Sequence, residues 1–203
     1  MNLGELIIPG VITGVFSVAV ALVSVWWRDF LEKRKKEKIY NEAVSENDLV
    51  EMIEIQRWLD ELRKEYDVDR VAIYQFHNGG YFASGASIKK FTMTYESTRP
   101  GIASIKRTSQ NMLASEHPKW VEKMFKEDFF ICDFNETSDE KARDDMDHYG
   151  IKKSVTVPVR DITNHLVGFI ALHSIISDRN FAELEHDLIE YSTEISGYLV
   201  KKR

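Results

Sequence analysis

Residues 150–174, GIKKSVTVPVRDITNHLVGFIALHS, constrain the fold more than any other stretch of the chain. They predict two strands, Ser154–Val159 and Leu166–His173, joined by a polar turn to which Asp161 and Asn164 bring turn-forming side chains. The first strand alternates valine with polar residues or proline, which predicts one covered face. The second is apolar at nearly every position, which predicts two covered faces. Such a hairpin must be buried by helices, and the rest of the chain supplies candidates.

An uncharged segment, LIIPGVITGVFSVAVALVSVWW, occupies residues 6–27. Its 22 residues would span about 33 Å as a helix, which is enough for a hydrocarbon core of roughly 30 Å. Trp26 and Trp27 suit the membrane interface, and a run of Lys and Arg follows at once. The sequence therefore predicts a single-pass membrane protein whose short tail, residues 1–5, lies outside and whose remaining chain is cytoplasmic.

Two alternatives exist for this segment. Ala19-Val20-Ala21 resembles a signal-peptide cleavage site, but Glu5 stands where such a peptide carries Lys or Arg. A buried core helix would require a small domain to cover an unusually long apolar run. Residues 28–45 then predict a charged juxtamembrane helix, whose basic cluster either contacts anionic lipid or only fixes the topology.

The composition excludes several partners. Residues 39–203 carry 21 Lys and Arg against 29 Asp and Glu, and this acidic balance makes nucleic acid an improbable partner. Cys132 is the only cysteine, so an intramolecular disulfide and a cysteine-rich metal site are both excluded. None of the six histidines forms a pair at zinc-site spacing, and we expect no metal. No nucleophile motif is present, so we expect no enzymatic activity.

Residues 49–66 predict an amphipathic helix with two apolar stripes. The first stripe comprises Leu49, Met52, Ile53, Gln56, Leu59 and Leu62, and the second comprises Ile55, Trp58 and Leu62. If one stripe covers the sheet, the other can meet the same helix of a second chain, which predicts a parallel homodimer. The alternative is one wide stripe that packs inside a single domain.

The segments between this helix and the hairpin predict a mixed order of strands and helices. They are strands Arg70–Phe76, Phe91–Glu96 and Phe129–Phe134, helices Ser104–Ala114 and one opening at Pro118, a helix capped by Ser138 and stopped at Gly150, and a last helix capped by Asn180. The predicted fold class is α+β with an antiparallel sheet.

This order, together with the runs GIKKSVTVPV, HLVGFIALHS and NFAELEHDLIEYSTEIS, resembles the GAF domain, a sensory module related to PAS. The resemblance covers roughly residues 46–201, and we assign residues 46–203 to the GAF-like domain. It implies a sheet backed by the first and last helices of the domain, with loops and short helices enclosing a small-molecule pocket on the opposite face. The resemblance leaves the cofactor unassigned. Cys132 is followed by Asp133 and lacks the Cys-His context of bilin-binding members. The signature of cyclic-nucleotide members cannot be placed, and methionine sulfoxide reductases of this type use several cysteines.

The His77-Asn78-Gly79-Gly80 segment predicts a turn that places an imidazole, an amide and exposed backbone N–H groups beside the implied pocket. The alternative is a loop whose side chains bond their own backbone. The full set of candidate ligand-binding residues is Tyr74, His77, Asn78, Gly79, Gly80, Tyr81, Tyr95, Glu96, Asp133 and His173. The sequence thus predicts a membrane-anchored sensory protein that binds an unknown small ligand and signals through dimerisation or an effector protein. The alternative is a ligand-free GAF-like scaffold for protein–protein interaction.

Overall fold

The computed structural model describes residues 23–35, 46–176 and 180–200, which divide into two compact units between Leu49 and Val50. In the first unit, residues 23–35 form a helix, α1, on which the rings of Trp26 and Phe30 stack with centroids 5.8 Å apart. Most of the predicted membrane span, residues 6–22, lies outside the described residues, as do residues 36–45 of the juxtamembrane segment. Within the described ranges, no helix combines the length and the apolar character needed to cross a membrane.

The second unit contains a six-stranded antiparallel sheet in the order β3-β2-β1-β6-β5-β4. Its strands are β1 (Arg70–Tyr81), β2 (Ser87–Thr98), β3 (Met112–Leu113), β4 (Phe130–Asp133), β5 (Lys153–Arg160) and β6 (Leu166–Ser174). Its helices are α2 (Glu46–Glu65), which belongs to this unit from Val50 onwards, α3 (Pro118–Lys126), α4 (Glu140–His148) and α5 (Glu185–Leu199), with 3-10 turns at Ala114–Glu116 and Ala182–Leu184.

Helices α2 and α5 cover one face of the sheet. Helix α2 places Ile55, Leu59, Leu62 and Tyr66 against it, and the spacing of three and four residues keeps them on one side of the helix. The strands and α5 complete this core with Val71, Ile73, Val155, Val157, Val159, Ile170, Leu172, Leu188 and Ile195. The predicted α+β fold, with an antiparallel sheet backed by the first and last helices of the domain, is confirmed.

The stripe of α2 that covers the sheet differs from the longer stripe of the prediction. Leu49, Met52 and Ile53 are exposed, and Ile53 retains 67% of its accessible surface. Ile55, Leu59 and Leu62 face the sheet instead, and just beyond the end of α2 the Tyr66 ring packs 6.3 Å from that of Tyr191 on α5. An apolar surface therefore remains on the outer side of α2.

The β5–β6 hairpin corrects one prediction and confirms two. Both faces of β5 are covered, because Thr156 is buried on the side opposite the valines and accepts a hydrogen bond from Trp120 Nε1 at 3.3 Å. Strand β6 is covered on both faces, as predicted. The turn also forms as predicted: Asp161 accepts bonds from the backbone N–H groups of Thr163 and His165, and Asn164 adopts a φ of +65°.

The predicted helix Ser104–Ala114 is wrong. Turns occupy its first half, and the segment then forms β3 and a 3-10 turn. The reason is tertiary: the Glu96 carboxylate accepts bonds from Ser104 Oγ and the Ile105 backbone N–H, and the Ser109 carbonyl accepts one from Met93 N. In the predicted helix the Ser109 carbonyl would instead accept from the backbone N–H of residue 113, so its bond to Met93 competes with that helix. A smaller correction concerns α4, whose N-cap is Asp139 rather than Ser138.

Candidate functional site

A partly open cavity of about 100 Å³ lies on the sheet face opposite α2 and α5. The sheet forms its floor, while α3, α4 and the connection from β2 to β3 form its walls. The apolar lining residues are Tyr74, Phe91, Ile105, Met112, Trp120, Ala142, Met146, Tyr149, Ile151, Phe169 and Ala171. The polar lining residues are Ser109, His117, Cys132, Asp145, Ser154 and His173.

An aromatic cluster centred on Phe169 gives the cavity its shape. The Tyr74 ring stacks on Phe169 with centroids 4.5 Å apart, and Trp120 meets Phe169 edge to face at 4.4 Å. Phe91 closes the group at 5.6 Å from Phe169. Stacked and edge-to-face pairs at these distances are favourable, so the walls pack closely and are predominantly apolar.

Two buried polar side chains in this lining lack a hydrogen-bond partner in the described part of the chain. His117 is 6% exposed and its Nε2 makes no bond, while Ser109 is 1% exposed and its Oγ makes none. Burial raises the pKa of Tyr74, and the Ser109 side chain, which lies near the Tyr74 hydroxyl, partly opposes that rise. Because buried polar groups are nearly always satisfied, two orphans beside one cavity indicate a missing polar partner.

The other ring nitrogen of His117 is directed at an acidic group. His117 Nδ1 lies 3.5 Å from Asp145 Oδ2 on α4, and Asp145 Oδ1 is held by Lys141 Nζ at 2.7 Å. Burial lowers the pKa of His117, and the Asp145 carboxylate opposes that shift. The ring is therefore neutral near pH 7, and its position beside Asp145 assigns the proton to Nδ1. Nε2 is then left as a hydrogen-bond acceptor.

A buried ionic cluster adjoins the cavity through His173. Arg70, which is 1% exposed, pairs with Glu96 through Nε–Oε1 at 3.0 Å, reaches His173 Nδ1 at 3.3 Å and donates to the Ala103 carbonyl at 2.8 Å. Burial, and secondarily Arg70, lower the pKa of His173 from 6.5 to about 3, so this imidazole is neutral and accepts from Arg70. The backbone carbonyl of Glu96 accepts a bond from Gln56 Nε2 on α2 at 3.0 Å. A continuous polar chain thus joins the cavity wall to α2.

Of the ten predicted ligand-contact residues, two line the cavity: Tyr74 and His173. Glu96 lies behind His173, through Arg70. Tyr95 packs on the helix-covered face instead, with Lys106 Nζ 5.7 Å from its ring centroid. Asp133 borders a separate, more polar groove of about 480 Å³ and lies 3.9 Å from Lys153 Nζ.

The predicted turn at residues 77–80 is wrong, because β1 continues through it to Tyr81. His77 and Asn78 pair with Lys90 and Lys89 across the ladder, His77 Nε2 bonds Thr92 Oγ1 at 2.9 Å, and Asn78 Oδ1 accepts from Ser87 Oγ and Lys89 Nζ. Gly79, Gly80 and Tyr81 lie on this exposed part of the strand, and Gly80 has a φ of +121°. None of these five residues lines the aromatic cavity.

The sequence reasoning missed the residues that give the cavity its polarity, namely Ser109, His117 and Asp145. They belong to three separate segments that meet only in the folded domain, so no spacing marks them. The one available signal was His117 beside Pro118 at the start of an amphipathic helix. Over the residues that the structure describes, no group of three or more His, Cys, Asp or Glu side chains could hold a metal ion.

An antiparallel sheet with two helices on one face and a small cavity on the other defines a two-layer α+β module. The family model described as GAF domain matches residues 54–192, and the chain belongs to that family. No curated protein matches the chain in sequence.

Solved GAF domains share the fold at low sequence identity. The GAF region of a candidate membrane protein from Geobacter sulfurreducens is 16% identical, with a TM-score of 0.55 over 74% of this chain and 93% of that one. A phycocyanobilin-bound GAF domain from a cyanobacterial phytochrome is 20% identical, with a TM-score of 0.57 over 82% and 92%. The blue-light absorbing form of the PixJ GAF domain from Thermosynechococcus elongatus is 20% identical, with a TM-score of 0.54 over 77% and 89%.

Proposed function

We propose that this protein is a non-enzymatic sensor, anchored in a membrane, whose GAF domain binds a small molecule in the aromatic cavity. The observation that carries the proposal is the pair of buried, unpartnered groups, His117 Nε2 and Ser109 Oγ, in the lining of one cavity. A ligand that bonds them would offset the cost of their desolvation, which is about 1–3 kcal/mol for each unsatisfied group. The structurally similar GAF domain of a cyanobacterial phytochrome binds phycocyanobilin, which supports ligand binding as a use of this fold.

Membrane attachment is supported by the sequence. The uncharged residues 6–27 are long enough to span a bilayer, and the Lys and Arg residues that follow favour a cytoplasmic GAF domain and an external amino terminus. Protease treatment of sealed right-side-out vesicles, whose outer surface is the external face of the membrane, tests this orientation. Digestion of the GAF domain from the external side would contradict it.

The ligand-binding proposal is tested on the full-length protein in lipid nanodiscs. A metabolite extract, and then its fractions, should raise the melting temperature by several degrees, because a ligand at 100 times its Kd adds about 2.7 kcal/mol. The matched control is Ala142→Leu, which adds side-chain volume to the cavity wall from α4. Its melting temperature should not respond. If no fraction stabilises the wild-type protein, the ligand-free scaffold becomes the better description.

We also propose that the signal leaves through a homodimer formed by α2. Val50, Met52 and Ile53 form an exposed apolar surface on this helix. The polar chain from His173 through Arg70 and Glu96 to α2 provides a route from the cavity to that surface.

Ile53→Glu should convert the full-length dimer to a monomer whose GAF domain remains folded, and any fall in the melting temperature should reflect only the lost self-association. Ile53 is largely exposed, so a carboxylate at this position costs the folded monomer little. In the dimer the two carboxylates would face each other, and their repulsion should lower the dimer affinity by at least about tenfold. Analytical ultracentrifugation in detergent measures the change. Ile162→Glu, in the exposed β5–β6 turn, is the matched control and should leave the dimer intact. A dimer that survives Ile53→Glu would rule out this surface.

A further inference from the structure

We propose that the cavity selects a neutral molecule with a single aromatic ring, whose hydrogen-bond donor pairs with His117 Nε2. The inference rests on the proposed ligand-binding function and adds the chemical class of the ligand. It is carried by four properties of the cavity: its volume, its aromatic walls, its charge and the unpaired imidazole nitrogen of His117.

The volume limits the ligand to one ring. Benzene occupies an engineered apolar cavity of about 150 Å³ in another protein, whereas drug-sized ligands and cofactors use about 300–1,000 Å³. The cavity here measures about 100 Å³ and is partly open, so a monocyclic ligand fits with one edge towards the opening. A nucleotide or a tetrapyrrole would require the walls to move apart.

The walls favour an aromatic ring over an aliphatic one. Tyr74 and Phe169 stack with their planes 12° apart, and Trp120 stands at 90° to Phe169. An aromatic ligand in this cavity could stack on one of these rings and meet another with its edge, and each such pair adds to the apolar burial. An aliphatic ligand of the same volume would gain only the burial.

The charge of the lining excludes anions. Among the described residues that line the cavity, none is Lys or Arg, and both lining histidines, His117 and His173, are neutral near pH 7. The lining carboxylate, Asp145, would repel an anion and is itself held by Lys141. A buried charge without a counter-ion is costly, so carboxylates and phosphates should be rejected.

The polar atoms select for a donor. Asp145 lies next to Nδ1 of His117, which leaves Nε2 of this neutral ring as an acceptor without a partner. Ser109 Oγ is a second orphan in the lining and can donate to or accept from the same polar group. A ring hydroxyl or ring N–H therefore satisfies the site, and the analogue that lacks it leaves Nε2 unpaired.

Phenol, toluene and benzoate form a matched set of probes, because they share the ring and differ in donor and charge. The full-length protein in nanodiscs, labelled with ¹⁵N in its four tryptophans, reports binding through the indole N–H signals. Trp120 lines the cavity and Trp58 packs on the other side of the sheet, so Trp58 is an internal control. Trp120→Phe identifies the reporting signal.

Phenol should shift the Trp120 signal and leave that of Trp58 unchanged, with toluene about tenfold weaker and benzoate without effect. His117→Phe should remove the preference for phenol over toluene, whereas His186→Phe, on the exposed side of α5, should retain it. Ala142→Leu should weaken the binding of both neutral probes, and it provides a second test if His117→Phe does not fold.

Equal binding of phenol and toluene by the wild-type protein would overturn the inference, as would preferred binding of benzoate or a preference that survives His117→Phe. If none of the probes binds but a larger molecule from the metabolite extract stabilises the protein, the ligand class is wrong and the proposed sensor function stands. If neither the probes nor the extract binds, the proposed function fails as well.

Discussion

Glu96→Ala should destabilise the GAF domain by about 3–5 kcal/mol, because it leaves the guanidinium of Arg70 buried without its counter-ion. The same substitution removes the acceptor of Ser104 Oγ and of the Ile105 backbone N–H, which hold the connection from β2 towards β3 in place. For a chain of this length, the melting temperature should fall by roughly 10 °C.

Thermal unfolding of the full-length protein measures this loss of stability, and two further variants serve as comparisons. Arg70→Met combined with Glu96→Leu removes both charges and should recover much of the stability, since a buried ion pair can often be exchanged for apolar residues. Glu122→Ala breaks the exposed pair with Lys126 and should leave the melting temperature unchanged. A loss for Glu96→Ala no larger than that for Glu122→Ala would show that the buried pair is not important for stability.

The elements with strong periodic patterns were predictable from the sequence. The β5–β6 hairpin and the helix that became α2 appear close to their predicted bounds. Apolar residues recur at two-residue spacing in β5 and at three-to-four-residue spacing in α2, and β6 is a short apolar run that begins after a polar turn. Gly150 also ends its helical segment as predicted, with a φ of +64°. In each case the local pattern and the tertiary structure favour the same conformation.

The predicted turn at residues 77–80 failed because strand pairing is a tertiary property. Asn78-Gly79-Gly80 has the composition of a turn, yet the β1–β2 ladder extends beyond it. Gly79 instead leaves space there for a flexible side chain of the neighbouring strand. A Cβ at this position would lie 2.6 Å from the Lys90 side chain, which crosses over the glycine. The same residue type thus marks a close approach rather than a chain reversal.

The candidate site was only partly predictable, for a related reason. Tyr74 and His173 lie on strands, so their position towards the cavity followed from the sheet. His117 precedes α3 and Asp145 lies on α4, and only the folded structure shows that their side chains approach to 3.5 Å. The burial of Arg70 and Glu96 was equally hidden, because charged residues are usually exposed and the pairing of β1 with β2 brings these two together.

Gly168 in β6 is a position where a single methyl group should be very costly. Its neighbour is the backbone of β1, and a Cβ at Gly168 would lie 2.3 Å from the Tyr74 carbonyl oxygen and 3.4 Å from Gln75 Cα. Backbone atoms cannot move aside as a flexible side chain can, so the strands would have to separate next to the ring stack of Tyr74 and Phe169. Gly168→Ala should therefore cost about 3 kcal/mol or more, at the upper end of the range for overpacking.

Gly197→Ala is the matched control, because the same methyl group added to α5 meets no atom within 4 Å. There the alanine should raise the stability by about 0.5–1 kcal/mol, since glycine inside a helix loses more backbone entropy on folding. Thermal unfolding of both variants should thus give shifts of opposite sign. The prediction for Gly168 would be wrong if its alanine variant melted within a few degrees of the wild-type protein. That result would mean that β1 and β6 can separate at little cost, and the cavity floor that they form would then be able to widen for a ligand larger than one ring.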